Sequence, residues 1–220
     1  MLNPITLKRG MLVSCEGIDG SGKSTLVKNV AKKLTEHNLP VIATREPGAT
    51  QLGTVIRTLL QEKQIPICQK AEYLLFASDR AQHFHEIVIP NLQNNKIVIS
   101  DRMADSSIVY QGFGRNLSID MIKTINNWSM EKITPDLTLY VKISPEIARE
   151  RLVKRNEKLT DYEKEKESFF KKLITGFETI FSHRQNVLYL DGTQTPEQLA
   201  DTATEQILTW CKTNNVLKTT

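Results

Sequence analysis

Apolar positions along this 220-residue chain alternate between short continuous runs and the three-and-four spacing of amphipathic helices. The runs at Met11–Cys15, Pro40–Thr44, Lys96–Ser100, Leu137–Ile143 and Val187–Leu190 read as five strands. Lys96-Ile97-Val98-Ile99-Ser100 is the clearest, an apolar centre between polar boundaries. Leu26, Val27, Val30, Ala31 and Leu34 predict a helix over Lys23–His37, and Leu52, Val55, Ile56, Leu59 and Leu60 another over Gln51–Glu62. Further helices are predicted over Ala71–Ile89, stopping near Pro90, over Ser118–Glu131, from Pro145 onward, over Ser168–His183 and over Pro196–Lys212. Strand and helix alternate throughout, which predicts an α/β fold: a five-stranded parallel sheet with helices on both faces. The expected organisation is an N-terminal extension over 1–10, one domain over 11–212 and a flexible tail over 213–220. Ligands in such sheets gather at the carboxyl ends of the strands, so candidate chemistry follows Cys15, Thr44, Ser100 and Ile143.

Composition narrows the class of partner. Basic residues exceed acidic ones by 29 to 25, an excess too small to argue for nucleic acid but suited to anionic substrates. Cys15, Cys68 and Cys211 are far apart, with neither metal-ligand nor disulfide spacing, and read as small core hydrophobes. No apolar run approaches the ~20 residues that span a membrane, and residues 1–10 lack a signal-peptide core. A cytoplasmic protein without nucleic-acid or membrane partners is expected.

The first candidate segment is Gly17-Ile18-Asp19-Gly20-Ser21-Gly22-Lys23-Ser24, followed by Thr25. Gly-x-x-x-x-Gly-Lys-Ser between a strand and a helix is a phosphate-binding loop. Its glycines let backbone N–H groups turn inward, and the helix start adds partial positive charge. Lys23 can reach the β- and γ-phosphates of ATP, and the Ser24 hydroxyl can ligate Mg²⁺. A GTP switch protein is disfavoured, because Asn95-Lys96 continues as Ile97-Val98 rather than as a guanine-reading motif.

Other segments supply a second substrate. Arg45 follows a strand and can grip a phosphate with its planar fork, or pair with Glu46 on the surface. Phe76 and Arg80 lie four apart on one helix face, where a ring and a guanidinium can receive a flat base; Phe76 can equally be core. Asp101 closes a buried strand, where it can support Mg²⁺ or cap a helix. Arg102 can bridge donor and acceptor phosphates. Arg149, Arg151, Lys154 and Arg155 lead into a charged stretch, so 149–166 reads as a lid that closes over phosphates or as a solvated helix face. Arg151 and Arg155, four apart, repel unless an anion lies between them.

In order, Glu16-Gly17-x-Asp19-Gly20-x-Gly22-Lys23-Ser24-Thr25, Thr44-Arg45-Glu46-Pro47-Gly48, Phe76 to His83, Asp101-Arg102, Ser106 and Tyr110-Gln111-Gly112 resemble the thymidylate kinases, from about Met11 to Leu190. The resemblance implies a nucleoside monophosphate kinase fold with a short lid and ATP-dependent phosphorylation of dTMP with Mg²⁺. It also implies a homodimer. By the same resemblance Arg45 holds the acceptor phosphate, Phe76 and Arg80 stack and read thymine, and Asp19 meets the sugar 3′-hydroxyl. Tyr110 packs on the sugar, while Ser106 and Gln111 contact the thymine and its surroundings. The loop carries no arginine, so the resemblance is to the bacterial type with lid arginines, and Arg151 and Arg155 are the candidates. Thr160-Asp161-Tyr162-Glu163 departs from the family's Asp-Arg pair before the lid glutamate, and Ile174 replaces a basic residue. A different nucleoside or nucleotide kinase is the alternative reading; the Thr44–Gly48 segment argues against the adenylate kinase type.

Overall fold

The computed structural model describes residues 7–62, 65–155 and 159–217. Strands β1 (Met11–Glu16), β2 (Val41–Arg45), β3 (Ile97–Asp101), β4 (Leu137–Lys142) and β5 (Val187–Asp191) form one sheet in the order β2-β3-β1-β4-β5. Every pairing is parallel. The connections are α1 (Lys23–Glu36), α2 (Gln51–Glu62), α3 (Gln69–His83), α4 (Ile89–Gln93), α5 (Ala104–Ser107), α6 (Ile119–Ser129), α7 (Pro145–Lys154) and α8 (Glu167–Phe181), with α9 (Pro196–Thr213) after β5.

The sheet is apolar on both faces, as parallel sheets covered by crossover helices must be. Met11, Val13, Cys15, Ile97, Ile99 and Leu139 pack against Leu26, Val30 and Leu34 of α1 and Ala203 and Ile207 of α9. Alternate residues point the other way. Leu12 and Val98 meet Phe84 and Val88, while Tyr140 meets Phe177 and Phe181 of α8. Pro145 occupies the first turn of α7 behind a Ser144 cap, and α9 begins with a reciprocal Thr195–Gln198 capping box.

Four expectations change. The helix expected to stop near Pro90 runs through it. A π-helical stretch at Phe84–Val88 re-phases the chain, and Pro90 then enters the first turn of α4, where its missing N–H costs nothing. Ala104–Gly114, which periodicity does not identify, is helical: α5 continues into a second π-helical segment at Ile108–Gly114. Where a tail was expected, Val216 is buried and the chain is packed as far as Leu217, which bridges Leu7 of the N-terminal segment. Residues 1–6 and 218–220 lie outside the described residues. Cys68, expected in the core, is exposed; Cys15 and Cys211 are buried.

Candidate active site

One cavity of about 240 Å³ opens at the carboxyl ends of β1, β2 and β3. Its lining includes Asp19, Arg45, Phe76, Arg80, Asp101, Arg102, Ser106, Tyr110, Gln111 and Arg155. Residues spread over more than 130 positions thus meet in one place, because parallel strands aim their following loops at the same edge.

The loop after β1 is shaped by its glycines. Gly22 takes the position before α1 with φ 96° and ψ 11°, a left-handed geometry that glycine adopts without strain. No side chain caps this helix, so its first N–H groups face outward, free for an anion. Gly20 is required for a different reason: a Cβ there would sit 2.6 Å from the Ala148 carbonyl oxygen of α7. Lys23 is buried, its Nζ donating to the Ile18 carbonyl at 2.8 Å and to Ser21 Oγ at 3.3 Å. Burial, and then the nearby Arg102, lower its pKa. The loop therefore gathers positive charge at Lys23 and Arg102, with Asp19 and Asp101 as the carboxylates nearby.

Beside it, Ser24 Oγ donates a short hydrogen bond to Asp101 Oδ2. Asp101 Oδ1 is buried with no hydrogen-bond partner. The helix-cap reading of Asp101 fails, because α5 starts at Ala104 behind Met103. An orphaned carboxylate oxygen next to a hydroxyl is a hard-oxygen pair that fits Mg²⁺. Among the described residues no group of three His, Cys, Asp or Glu side chains forms a resident metal site. The pair thus suits an ion that arrives with a nucleotide's phosphates.

Arg102 is held from several sides. Its backbone takes φ 70°, unusual for a residue with a Cβ. Nη1 donates to the Gly17 carbonyl at 3.0 Å and to Ser106 Oγ at 2.9 Å; Nη2 donates to Asp19 Oδ1 at 2.7 Å and to the Tyr110 hydroxyl at 3.1 Å. Tyr110 in turn donates to Asp19 Oδ2 at 2.8 Å. Burial pushes the Asp19 pKa up, but Arg102, Lys23 and the Tyr110 bond outweigh it and hold the carboxylate below its ordinary range. Behind Ser106 stands fully buried Glu16, which nothing but its place in the motif distinguishes in sequence. Its Oε2 accepts from Ser106 Oγ at 2.5 Å and its Oε1 from the Met103 N–H at 2.8 Å. Burial, and then the charge of Asp105, raise its pKa to about 8.

Arg45 is exposed at the end of β2, and its neighbour Glu46 turns inward. Glu46 pairs with Arg80 Nε at 2.8 Å and His83 Nδ1 at 2.9 Å, so it is not the surface partner of Arg45. Arg80 also donates to Asn126 Oδ1 at 2.7 Å and Ser107 Oγ at 3.0 Å. The turn is tied down by Asp79, whose Oδ1 accepts from the Gly48 N–H at 2.9 Å. Phe76 lines the cavity and belongs to none of the buried apolar clusters, so it is not core. Sequence reading missed Arg57. It lies on α2 as one polar position among several, yet its Nη1 donates to the Pro47 carbonyl at 3.0 Å and its side chain lines the cavity. Burial, then the proximity of Arg45, lower its pKa. The only sequence signal was its spacing of twelve from Arg45, which means nothing until α2 folds back over the turn.

The two lid candidates part company. Arg151 reaches the phosphate loop, donating to the Ser21 carbonyl at 3.4 Å and the Gly192 carbonyl at 2.8 Å. Arg155 faces the cavity and donates from Nη2 to both oxygens of Glu163, at 3.0 and 3.1 Å. Their guanidinium groups turn to different partners. Ile174 packs with the aromatic cluster around Phe177. Residues 156–158 of the expected lid lie outside the described residues.

The thymidylate kinase family model matches residues 15–203. A thymidylate kinase of Halothermothrix orenii is 47% identical over 143 residues, 65% of this chain and 69% of the relative. One from Carboxydothermus hydrogenoformans is 39% identical over 191 residues, 87% and 93% of the two chains. One from Finegoldia magna is 36% identical over 210 residues, covering 94% of this chain and 100% of its own. A phosphate loop facing an arginine-lined second pocket is what such an enzyme needs, and with matches of this extent the chain belongs to the thymidylate kinase family.

Proposed function

We infer that this protein transfers the γ-phosphoryl group of ATP to dTMP, giving dTDP and ADP. One observation carries the reading: the pocket lined by Arg45, Arg57, Phe76 and Arg80 is also lined by Asp19 of the phosphate loop and by Arg102, whose Nη1 donates to the loop at the Gly17 carbonyl. No covalent intermediate is needed. Phosphoryl transfer asks for alignment and charge neutralisation, and these residues supply both.

The donor ATP binds over Gly17–Thr25, with Lys23 on its outer phosphates. Ser24 and Asp101 hold Mg²⁺, which when bound neutralises charge on the donor phosphates. Arg45 and Arg57 take the acceptor phosphate. Thymine stacks on Phe76 and is read by Arg80, Ser106 and Gln111, and the sugar rests against Tyr110 with its 3′-hydroxyl toward Asp19. Arg102, fixed by Asp19, Tyr110 and Ser106, is oriented for the phosphates on both sides. From the lid, Arg155 adds charge over the cavity and Arg151 braces the phosphate loop. Exposed apolar side chains on three neighbouring helices support a homodimer: Leu52 and Val55 on α2, Leu74 on α3, and Met121 and Trp128 on α6. No helix among the described residues is long and apolar enough to cross a membrane.

A coupled ADP-release assay with ATP–Mg²⁺ and a panel of nucleoside monophosphates tests the substrate. Clear preference for dTMP over dUMP, dCMP and AMP is expected. Equal rates across the panel would favour another nucleotide kinase.

A further inference from the structure

Gln111 sits in the acceptor cavity with its amide gripped at one end. Its Nε2 donates to the hydroxyl of Tyr162 at 2.8 Å. Tyr162 belongs to the lid segment and reaches across to α3, where its hydroxyl donates a short hydrogen bond to Glu72 Oε1. Glu72, Tyr162 and Gln111 all line the cavity. We propose that Glu72 and Tyr162 form a relay that fixes the orientation of the Gln111 amide, so that the pocket selects a pyrimidine with a protonated N3 over one with a bare N3. The proposal rests on the reading that this cavity receives the acceptor base.

The orientation follows from donor and acceptor bookkeeping. A carboxylate only accepts, so the single Tyr162 proton goes to Glu72. The phenol oxygen is then left as an acceptor, and of the two ends of the Gln111 amide only the NH₂ can donate to it. Turning the amide over would set Gln111 Oε1 against an oxygen whose proton is already committed. Burial, reinforced by the adjacent Glu72 charge, raises the Tyr162 pKa far above the phenol range, so the relay keeps its proton at neutral pH. With Nε2 on Tyr162, Gln111 Oε1 is the acceptor the amide has left to offer.

Arg80 completes the pattern with the opposite polarity. It uses one N–H on each of Glu46, Asn126 and Ser107, and the second N–H of each terminal nitrogen remains. An acceptor at Gln111 beside donors at Arg80 matches an imide edge, an N3–H next to the C4 carbonyl, as in thymine and uracil. Cytosine presents a bare N3 and an amino group, the wrong partner at both positions. The relay also has a conformational condition. Tyr162 is seated by an edge-on contact with Tyr110, centroids 5.4 Å apart, and by the Arg115 guanidinium 4.9 Å above its ring. Arg115 is itself paired with Glu165 at 2.5 Å. The base-reading polarity is therefore defined only when this lid segment is packed on α3.

The test compares kcat/KM for dTMP and dCMP, by ADP release, in the wild-type protein and in Tyr162→Phe and Glu72→Gln. Phe keeps the ring and removes the oxygen; Gln keeps the shape and lets the relay run in either direction. Both substitutions are expected to lower the dTMP:dCMP ratio about tenfold or more, since either amide end can then face the base. A wild-type preference that survives both substitutions unchanged overturns the relay, even if the dTMP rate falls. A lower ratio in Tyr162→Phe alone also overturns it, because lid packing would then be the cause. A wild-type protein with no preference for dTMP overturns the substrate reading and the relay together.

Discussion

Replacing Glu16 with Gln separates electrostatic from geometric roles at the back of the site. The carboxylate is fully buried, accepts from Met103 N–H and Ser106 Oγ, and through Ser106 steadies Arg102. Burial, then Asp105, lift its pKa from 4.5 to about 8, against the pull of Ser106, Arg102 and Lys23. A folded-state pKa above the unfolded value means the native protein binds this proton more tightly. The stabilisation is fully present below about pH 4.5 and is lost as pH rises through about 8. At about 1.36 kcal/mol per pH unit, the whole effect is on the order of 5 kcal/mol. Gln does not ionise, so its stability lacks this slope. Gln carries one donor end and one acceptor end, as the neutral acid does below about pH 8, so it copies the low-pH hydrogen bonding. Thermal unfolding of both proteins from pH 5 to pH 9 is the assay. At roughly 2–4 °C per kcal/mol for a chain of this length, the Tm of Glu16→Gln is expected to gain roughly 10 °C on the wild type across that range. Turnover above about pH 8, where the wild-type carboxylate accepts from Ser106, should fall about tenfold as Arg102 loosens. Parallel Tm curves would refute the electrostatic argument, and unchanged turnover would refute the positioning role.

Other substitutions test other parts. Lys23→Ala should lower kcat at least about a hundredfold, while Tm holds or rises, because the buried ammonium repels Arg102 in the ligand-free protein. Arg57→Ala should raise KM for dTMP about tenfold and leave KM for ATP unchanged, as measured by initial rates with each substrate varied. Tyr110→Phe strips the Asp19 N–H of its partner at 3.1 Å and frees Arg102 on one side. It should cost roughly 1–3 kcal/mol in denaturant melts and lower kcat/KM for dTMP. Light scattering should give twice the chain mass, and Trp128→Glu should return it to one chain if the exposed helices form the dimer face.

Much of this molecule is legible in its sequence because parallel strands and amphipathic helices each impose a period. All five strands follow from that patterning and lie within a residue or two of expectation, and the phosphate loop, read from its glycine-lysine-serine motif, falls between β1 and α1 as expected. Ala104–Gly114 escapes because π-helical turns pair residues five apart and blur the helical period, and because Gly112 and Gly114 argue for a loop. Side-chain partnerships are harder still. Glu46, Arg80 and His83 form one buried cluster although 34 residues separate the first two, and nothing local distinguishes Glu46 from a surface acid. Arg151 and Arg155 look equivalent on a helix, yet one turns to the phosphate loop and the other to Glu163, because α7 ends at Lys154, between the two. Tyr162 shows the same limit from the other side: a departure from the family pattern in sequence becomes, once folded, a contact that joins the lid to α3 and Gln111.

The central claim is that one site joins ATP to dTMP. A single reaction containing ATP–Mg²⁺ and equal amounts of dTMP, dUMP, dCMP and AMP, resolved by chromatography, tests it most directly. The structure predicts dTDP as the main new diphosphate apart from ADP, formed one for one with ADP and abolished in Arg45→Ala. ADP without dTDP, or a different diphosphate in excess, would contradict the account.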